Sequence, residues 1–264
     1  MKKTFRKFIP AMLVLVALVT LSFMSKNGVT LRLQPKQGQT YTATSKANAM
    51  TMIEVQGQTM NMSQLVEARQ TFTAKEVTET QSDIETQIES IKMTISQMGM
   101  KLEYDSDHPE KTNPMLAGQT KEIEQSLNKP HTVSFDALGH HVGDTLSLNM
   151  NQLPNIIIEL PEQELTVGST WNSKSLQIVS NTKLDVDMEY TVTAISKKSV
   201  DVSFTGHIDP DEEITGGYSG TASINPQTGM VMNSTTKSNI SLTMNEQGMS
   251  LPVTIVSTTT IEVK

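Results

Sequence analysis

Tyr190-Thr-Val-Thr-Ala-Ile-Ser-Lys-Lys-Ser-Val-Asp-Val-Ser-Phe204 decides the fold class. Tyr190, Val192 and Ala194 fall on alternate positions, and so do Val200, Val202 and Phe204 after a polar break at Lys197–Lys198. A period of two places successive apolar side chains on one face of a pleated strand, and a polar break between two such runs reads as a hairpin. Outward from this stretch the pattern repeats. Gln56-Gly57-Gln58, Asn225-Pro-Gln-Thr-Gly229 and Asn245-Glu-Gln-Gly248 have turn chemistry and separate further alternating runs. The runs over 39–55, 59–77 and 230–244 are long, and long strands on short turns favour a wide, curved sheet over a compact sandwich. The expectation is a mainly β protein with one large curved antiparallel sheet, half-barrel-like, and one or two short packed helices.

Two segments depart from simple alternation. Over 113–128, Asn113 can cap, Pro114 suits a first helical position, and Met115, Leu116, Ile123 and Leu127 space as one face before Pro130. Gly118 weakens this helix by about 1 kcal/mol relative to Ala. Over 82–95, Ile84, Ile88, Ile91 and Ile95 fit a helix, whereas Ile91, Met93 and Ile95 fit a strand; β-branched Ile tilts the reading to strand. A weak internal repeat pairs Gly38-Gln-Thr-Tyr41 with Gly168-Ser-Thr-Trp171, and Asp136-Ala-Leu-Gly139 with the turn ending at Gly229. It divides the chain into β-rich halves over 26–150 and 151–264. The join at 151–167 holds Pro154, Pro161 and an Ile156-Ile157-Ile158 run expected to pack.

Residues 1–25 read as an export signal or amino-terminal anchor. Lys2, Lys3, Arg6 and Lys7 precede an uncharged stretch from Phe8 to Met24. Thr20 and Ser22 form a small-x-small pair for cleavage after Ser22; uncleaved, the 17 apolar-stretch residues are at the short end for a membrane span. The expected location is therefore the periplasm or the cell exterior. Without residues 1–22 the chain keeps 17 basic residues against 28 acidic ones, a net charge of −11. That balance leaves no basic patch for nucleic acid, and an anionic membrane surface would repel the bulk of the domain, so membrane contact is expected only through the amino-terminal segment. The chain has no cysteine, which removes disulfides, thiolate metal sites, cysteine nucleophiles and a lipidated cysteine after the apolar stretch.

Catalytic chemistry has no foothold in the sequence, so no enzyme and no cofactor are expected. The five histidines show no HExxH or HxH spacing, and His140–His141 falls in an expected turn, where side chains diverge toward solvent. Asp209-Pro-Asp-Glu-Glu213 lacks the glycine and alternate-ligand spacing of a calcium loop and reads as an acidic turn. Gly216-Gly-Tyr-Ser-Gly220 is not a nucleophile elbow and reads as a bend at a strand entry.

Methionine is the unusual component, with 14 of the 17 falling after residue 25. Met50 with Met52, Met60 with Met62, Met98 with Met100 and Met230 with Met232 form M-x-M pairs, each on one strand face if the strands are regular. Three readings stand: filling of an irregular core, an adaptable apolar cleft, and Cu(I) ligation by soft thioethers. The cleft reading makes Met50, Met52, Met60, Met62, Met230 and Met232 the candidate apolar ligand face.

Leu31-Arg-Leu33, Gly38-Gln-Thr-Tyr41, Leu160-Pro161, Val167-Gly168 before Trp171 and a final Thr-rich strand together resemble an uncharacterised family of secreted, strand-rich bacterial envelope proteins. The resemblance covers nearly all of the exported part, and its motifs are short. Many such proteins carry a lipobox cysteine, which this chain lacks. The plan of long curved strands with a covering helix also looks, more loosely, like the half-barrel carriers of lipoproteins and lipids. The family brings no activity to carry over; the long strands, the paired methionines and the export address lead to the expectation of a non-enzymatic binding module that holds a lipid or acyl chain on the concave face of the sheet. The alternative is a structural protein that binds an envelope partner through sheet edges or loops.

Overall fold

The structure is a computed structural model that describes residues 28–143, 156–179, 182–208, 214–246 and 249–264. The signal or anchor at 1–25, the first part of the join at 151–155 and the acidic run at 209–213 lie outside the described residues. Strands β1 (Thr40–Val55), β2 (Gln58–Val77), β3 (Gln81–Gln97) and β4 (Met100–Asp105) come first. Two 3-10 turns (Pro109–Lys111 and Pro114–Leu116) and helix α1 (Ala117–Ser126) follow. Strands β5 (His131–Asp136) and β6 (His141–Val142) complete the first half. The second half holds β7 (Thr170–Val179), β8 (Thr182–Ile195), β9 (Val200–Ile208), β10 (Thr215–Ile224), β11 (Val231–Glu246) and β12 (Met249–Val263).

All twelve strands join one open antiparallel sheet in the order β6-β5-β3-β2-β1-β12-β11-β10-β9-β8-β7. β4 pairs with the second half of β3, beyond the stretch that pairs with β5. The halves meet at the β1–β12 seam, in register from Ala43 opposite Val263 to Ile53 opposite Val253. The series β1, β2, β3, β5, β6 and β7, β8, β9, β10, β11 are laid down in the same direction across the sheet.

The double reading of 82–95 has a physical answer in β3. Ser82, Ile84, Thr86 and Ile88 face the interior on even positions, whereas Ile91, Met93 and Ile95 face it on odd ones. The register against β2 slips between Arg69 and Gln70, where Ser90 and Ile88 are the successive partners, leaving Glu89 as the extra residue. A bulge shifts side-chain phase by one, and two period-two runs so joined imitate a helical spacing. A slip between Val192 and Ala194 does the same on β8. It turns Ala194 outward, against the simple alternation of the founding stretch.

The interior of the curved sheet holds two apolar clusters. The larger joins inward residues of β7 to β12 with Ala43, Phe72 and Ile84 and with two extended straps, 28–34 and 156–166. Leu31, Leu33, Ile156, Leu160 and Leu165 on the straps are almost wholly buried. The straps pair through Val29 and Leu165, whose amides each donate to the other's carbonyl at 2.9 and 2.8 Å. Arg32 adds bonds from its guanidinium to the Pro161 and Glu162 carbonyls at 3.2 and 3.1 Å. Each strap also lies against a turn ending in a left-handed glycine. At Gly139 (φ +84) a Cβ would stand 2.6 Å from the Ile158 carbonyl oxygen, and at Gly229 (φ +69) 2.3 Å from that of Arg32. Both turns need glycine twice over, for backbone angle and for room. The Ile156–Ile158 run packs, as its composition suggested.

The smaller cluster sits where the 106–130 segment crosses β3 and β4. Ile88, Ile91, Met93, Ile95, Tyr104 and Leu116 form it, with Ile123 and Leu127 from the helical segment packed on top. Asn113 caps the start as expected, its side-chain oxygen accepting from the Met115 amide at 3.0 Å. The first turn is 3-10 in form, and this rotates Met115 away from the expected face, leaving it 69% exposed. The Tyr104 hydroxyl is buried with no hydrogen-bond partner among the described residues. Burial, then the charges of Glu124 and Asp105, push its pKa up. Tyr104→Phe keeps the ring and removes an unpaired hydroxyl, so its melting temperature is expected to equal or exceed that of the parent. Leu116→Ala in the same cluster is expected to cost about 2–5 kcal/mol. Thermal unfolding of both variants checks this, and a loss above about 1 kcal/mol in Tyr104→Phe would contradict it.

Candidate functional site

The register sorts the candidate methionines by face. Gln56 and Gly57 (φ 51 and 79) form a two-residue turn, so Val55 pairs with Gln58 and every β1 residue meets a β2 residue of opposite parity. Met60 and Met62 stand opposite Ile53 and Thr51 on the inner face, half-buried, with Met62 packed against the smaller cluster. Met50 and Met52 stand opposite Ser63 and Asn61 on the outer face, and Met50 is 50% exposed. Four thioethers at one end of the sheet are thus held on two sides of it, and they do not converge on a common point as one copper site would need. Met230 and Met232 do not join them. Met230 is buried in the larger cluster, and Met232 is the half-buried extra residue where β11 slips against β10. The six-methionine face is therefore three separate pairs.

The concave face expected to hold a ligand is filled by the two apolar clusters; it is the outer face that carries an open depression of about 300 Å³, beside Met50. Two rows line it: Thr258, Asn48, Leu65 and Thr94, then Val256, Met50, Ser63 and Ser96. It also reaches Ala49, Gln64 and Ser257. Its shape follows from size, because serine and threonine on β2 and β3 stand low between the longer Met50, Leu65 and Val256. None of the lining side chains is ionisable, and the apolar ones form an island in a Ser/Thr/Asn surface. Sequence reasoning missed Leu65, Val256 and the serines. The two-residue turn was the signal that could have found Ser63, since it alone fixes what lies opposite Met50.

One row along, the outer face changes character. Lys46, Glu67, Lys92 and Asp105 stand side by side on four successive strands. Lys46 pairs with Glu67 at 2.8 Å and Lys92 with Asp105 at 2.9 Å. The Lys92 bond holds the Asp105 carboxyl below its ordinary pKa and, reciprocally, raises that of Lys92. These exposed pairs balance each other, so the row borders the depression without a net charge, and each contributes little to stability.

His140 and His141 lie at the other end of the sheet, beside β5. His140 is exposed and its ring bonds Asp136 at 2.8 Å. Burial alone would raise the Asp136 pKa, but the bonds from the His140 ring and from the His140 and Leu138 amides outweigh it and hold the carboxyl low. His141 departs from the solvent-facing expectation: its ring is half-buried, edge-on to Phe135 with centroids 6.1 Å apart. Gly216 to Gly220 are not an entry bend but lie within β10. Among the described residues no three His, Asp or Glu side chains gather as a metal site. No helix among the described residues is long and apolar enough to cross a membrane, which says nothing of strands.

The pattern of a family of unknown function, DUF6263, matches residues 144–249. No curated protein sequence matches the chain. Two solved structures are similar in outline. One, of lipovitellin, concerns lipid–protein interactions; it is 10% identical, the likeness covers 87% of this chain and 25% of that one, and the TM-score is 0.47. This chain thus spans about a quarter of the lipovitellin chain. The other is an outer membrane channel from Pseudomonas putida F1, 8% identical over 88% of this chain and 98% of that one, with a TM-score of 0.26.

Proposed function

We propose that the protein is a non-enzymatic binding module, working outside the cytoplasm, that holds a single apolar chain such as the acyl chain of a lipid. The depression beside Met50 carries this reading. Its volume, about 300 Å³, is at the lower bound of ligand pockets (roughly 300–1,000 Å³), which suits one chain rather than a whole diacyl lipid. Met50 supplies a flexible, polarizable wall that accommodates chains of varied shape. The ion-paired row next to it offers no net charge, and exposed Lys237 stands beside the lining, opposite Thr258 on β11, so a carboxylate head is accommodated. Because the lining has no ionisable side chain, it offers no general acid or base, and this supports binding without turnover. The export address rests on the basic and apolar order of residues 1–25.

The test is titration with dansyl-undecanoic acid, whose emission rises in an apolar site. Ser63→Trp, which fills the depression from an exposed position, is expected to weaken binding by about tenfold or more, equivalent to about 1.4 kcal/mol. Equal binding by parent and variant, or no binding by the parent, would remove this reading.

A further inference from the structure

We propose that the end of the sheet carrying the β1–β2 and β3–β4 turns docks onto a lipid bilayer with electrically neutral headgroups, immersing its exposed methionines in the interfacial region. This stands apart from the depression, and either can hold without the other.

The first observation is Met98. It occupies the first position of the two-residue Met98-Gly99 turn, with φ +51, and is 75% exposed. Asn, Asp or Gly is favoured there, because other side chains crowd the backbone in the left-handed region. Neither folding nor solubility gains from methionine at this position, whereas an apolar surrounding would.

The second is distribution. Met50, Met52, Met60, Met62, Met98, Met100, Met244 and Met249 all lie toward this end, eight of the fourteen beyond residue 25. Met100 is 52% exposed and Met249 45%. Between the Lys46–Asp105 row and the turns, charged residues are few. β1 contributes Glu54, β11 contributes Lys237 and Glu246, β2, β3 and β12 contribute none, and on β4 Lys101 is paired with Glu103.

The third is geometry, and it selects the occupant. Met50 and Met52 project from one side of the sheet, Met60 and Met62 from the other, and Met98 from the turn end. A protein partner or a second copy of the chain would cover one side. Immersion of the end in a fluid apolar medium reaches all three. Beyond the row on these strands, Lys237, which has no ion pair among the described residues, is outnumbered by Glu54 and Glu246, so attraction to anionic headgroups is not the driving force, and the surface is a neutral or zwitterionic one entered by apolar burial.

The chain has no cysteine, so Met98→Cys and, at the opposite end, Lys198→Cys each accept one NBD fluorophore on the otherwise intact protein. With phosphatidylcholine vesicles, the label at 98 is expected to brighten, shift to the blue and be quenched by lipid-borne nitroxides, with no loss in 0.5 M salt. The label at 198 is expected to stay as in water. Met100→Asp in the Met98→Cys background is expected to reduce the tip response at least about tenfold, with an unchanged circular dichroism spectrum. Ser63→Trp is expected to leave it intact, which separates this proposal from the acyl-chain site. Four results would each overturn the proposal. They are equal responses at 98 and 198, a requirement for anionic lipid, loss of the response in salt, and a blue shift at 98 that depends on protein concentration without vesicles.

Discussion

Trp171→Ala is expected to cost about 3–5 kcal/mol of unfolding free energy, the largest loss of any single truncation in the second half. Trp171 is 8% exposed and opens β7 on the inner face. Its indole stacks on Tyr190 of β8, centroids 4.8 Å apart and planes 10° from parallel. Tyr190 in turn leans on Phe204 of β9 at 5.7 Å. The indole N–H donates to the Glu159 carbonyl at 3.0 Å, and the Glu159 carboxylate accepts from the Lys174 amide at 3.3 Å. One side chain thus joins three strands and moors the second strap along β7. Removing it empties a large volume and frees a buried carbonyl, so cavity and hydrogen-bond costs combine. Urea denaturation followed by circular dichroism measures the loss. Trp171→Phe, which keeps the stack but not the N–H, is expected to fall between parent and Ala. A Trp171→Ala loss under about 1.5 kcal/mol would show that the ladder contributes no more than an average core contact.

Gly220→Ala is expected to destabilise by about 1–3 kcal/mol, and Gly220→Val to exceed that range. A Cβ at Gly220 would lie 2.1 Å from the Thr235 carbonyl oxygen of β11 and 2.5 Å from the Phe204 ring of β9. Neither obstacle is the end of a flexible side chain. The first is backbone in the ladder, and the second is a ring already wedged against Tyr190. Gly220 therefore lets β10 pass close beneath an aromatic side chain. Gly118→Ala is the matched control, because its added methyl meets no atom within 4 Å and it lies in α1, where the exchange is expected to stabilise by about 1 kcal/mol. If the two substitutions moved the urea midpoint alike, close packing would not be what requires glycine at 220.

The sheet was legible because period-two alternation survives in single segments. The 190–204 hairpin and the long strands β1, β2 and β11 follow from their own residues and turns. What spans segments was not legible. Bulges at β3 and β8 change which residues face inward without changing composition, so Ile84 and Ile91 share a face only after the slip at Glu89. The straps bury Leu31 and Leu165 by pairing across more than 130 residues, a contact that no local window holds. The methionine site failed for a simpler reason. Alternation puts the two residues of an M-x-M pair on one face of their own strand, but it does not say which faces of neighbouring strands coincide. The two-residue turn at Gln56-Gly57 sets Met50 against Ser63 and divides the cluster. Met98 was visible as half of a pair. That it occupies the left-handed position of a turn needed the backbone.

The seam between the halves has a consequence for biosynthesis. Ile53 meets Val253, some 200 residues later in the chain. Every other ladder along the sheet from β6 to β7 joins strands that follow one another closely, apart from the β4 excursion. While the polypeptide emerges, β1 therefore waits with one flank of sixteen residues unsatisfied, a template for any extended segment nearby. The rate at which the last hairpin is delivered thus sets how long a nascent molecule stays vulnerable to pairing with its neighbours.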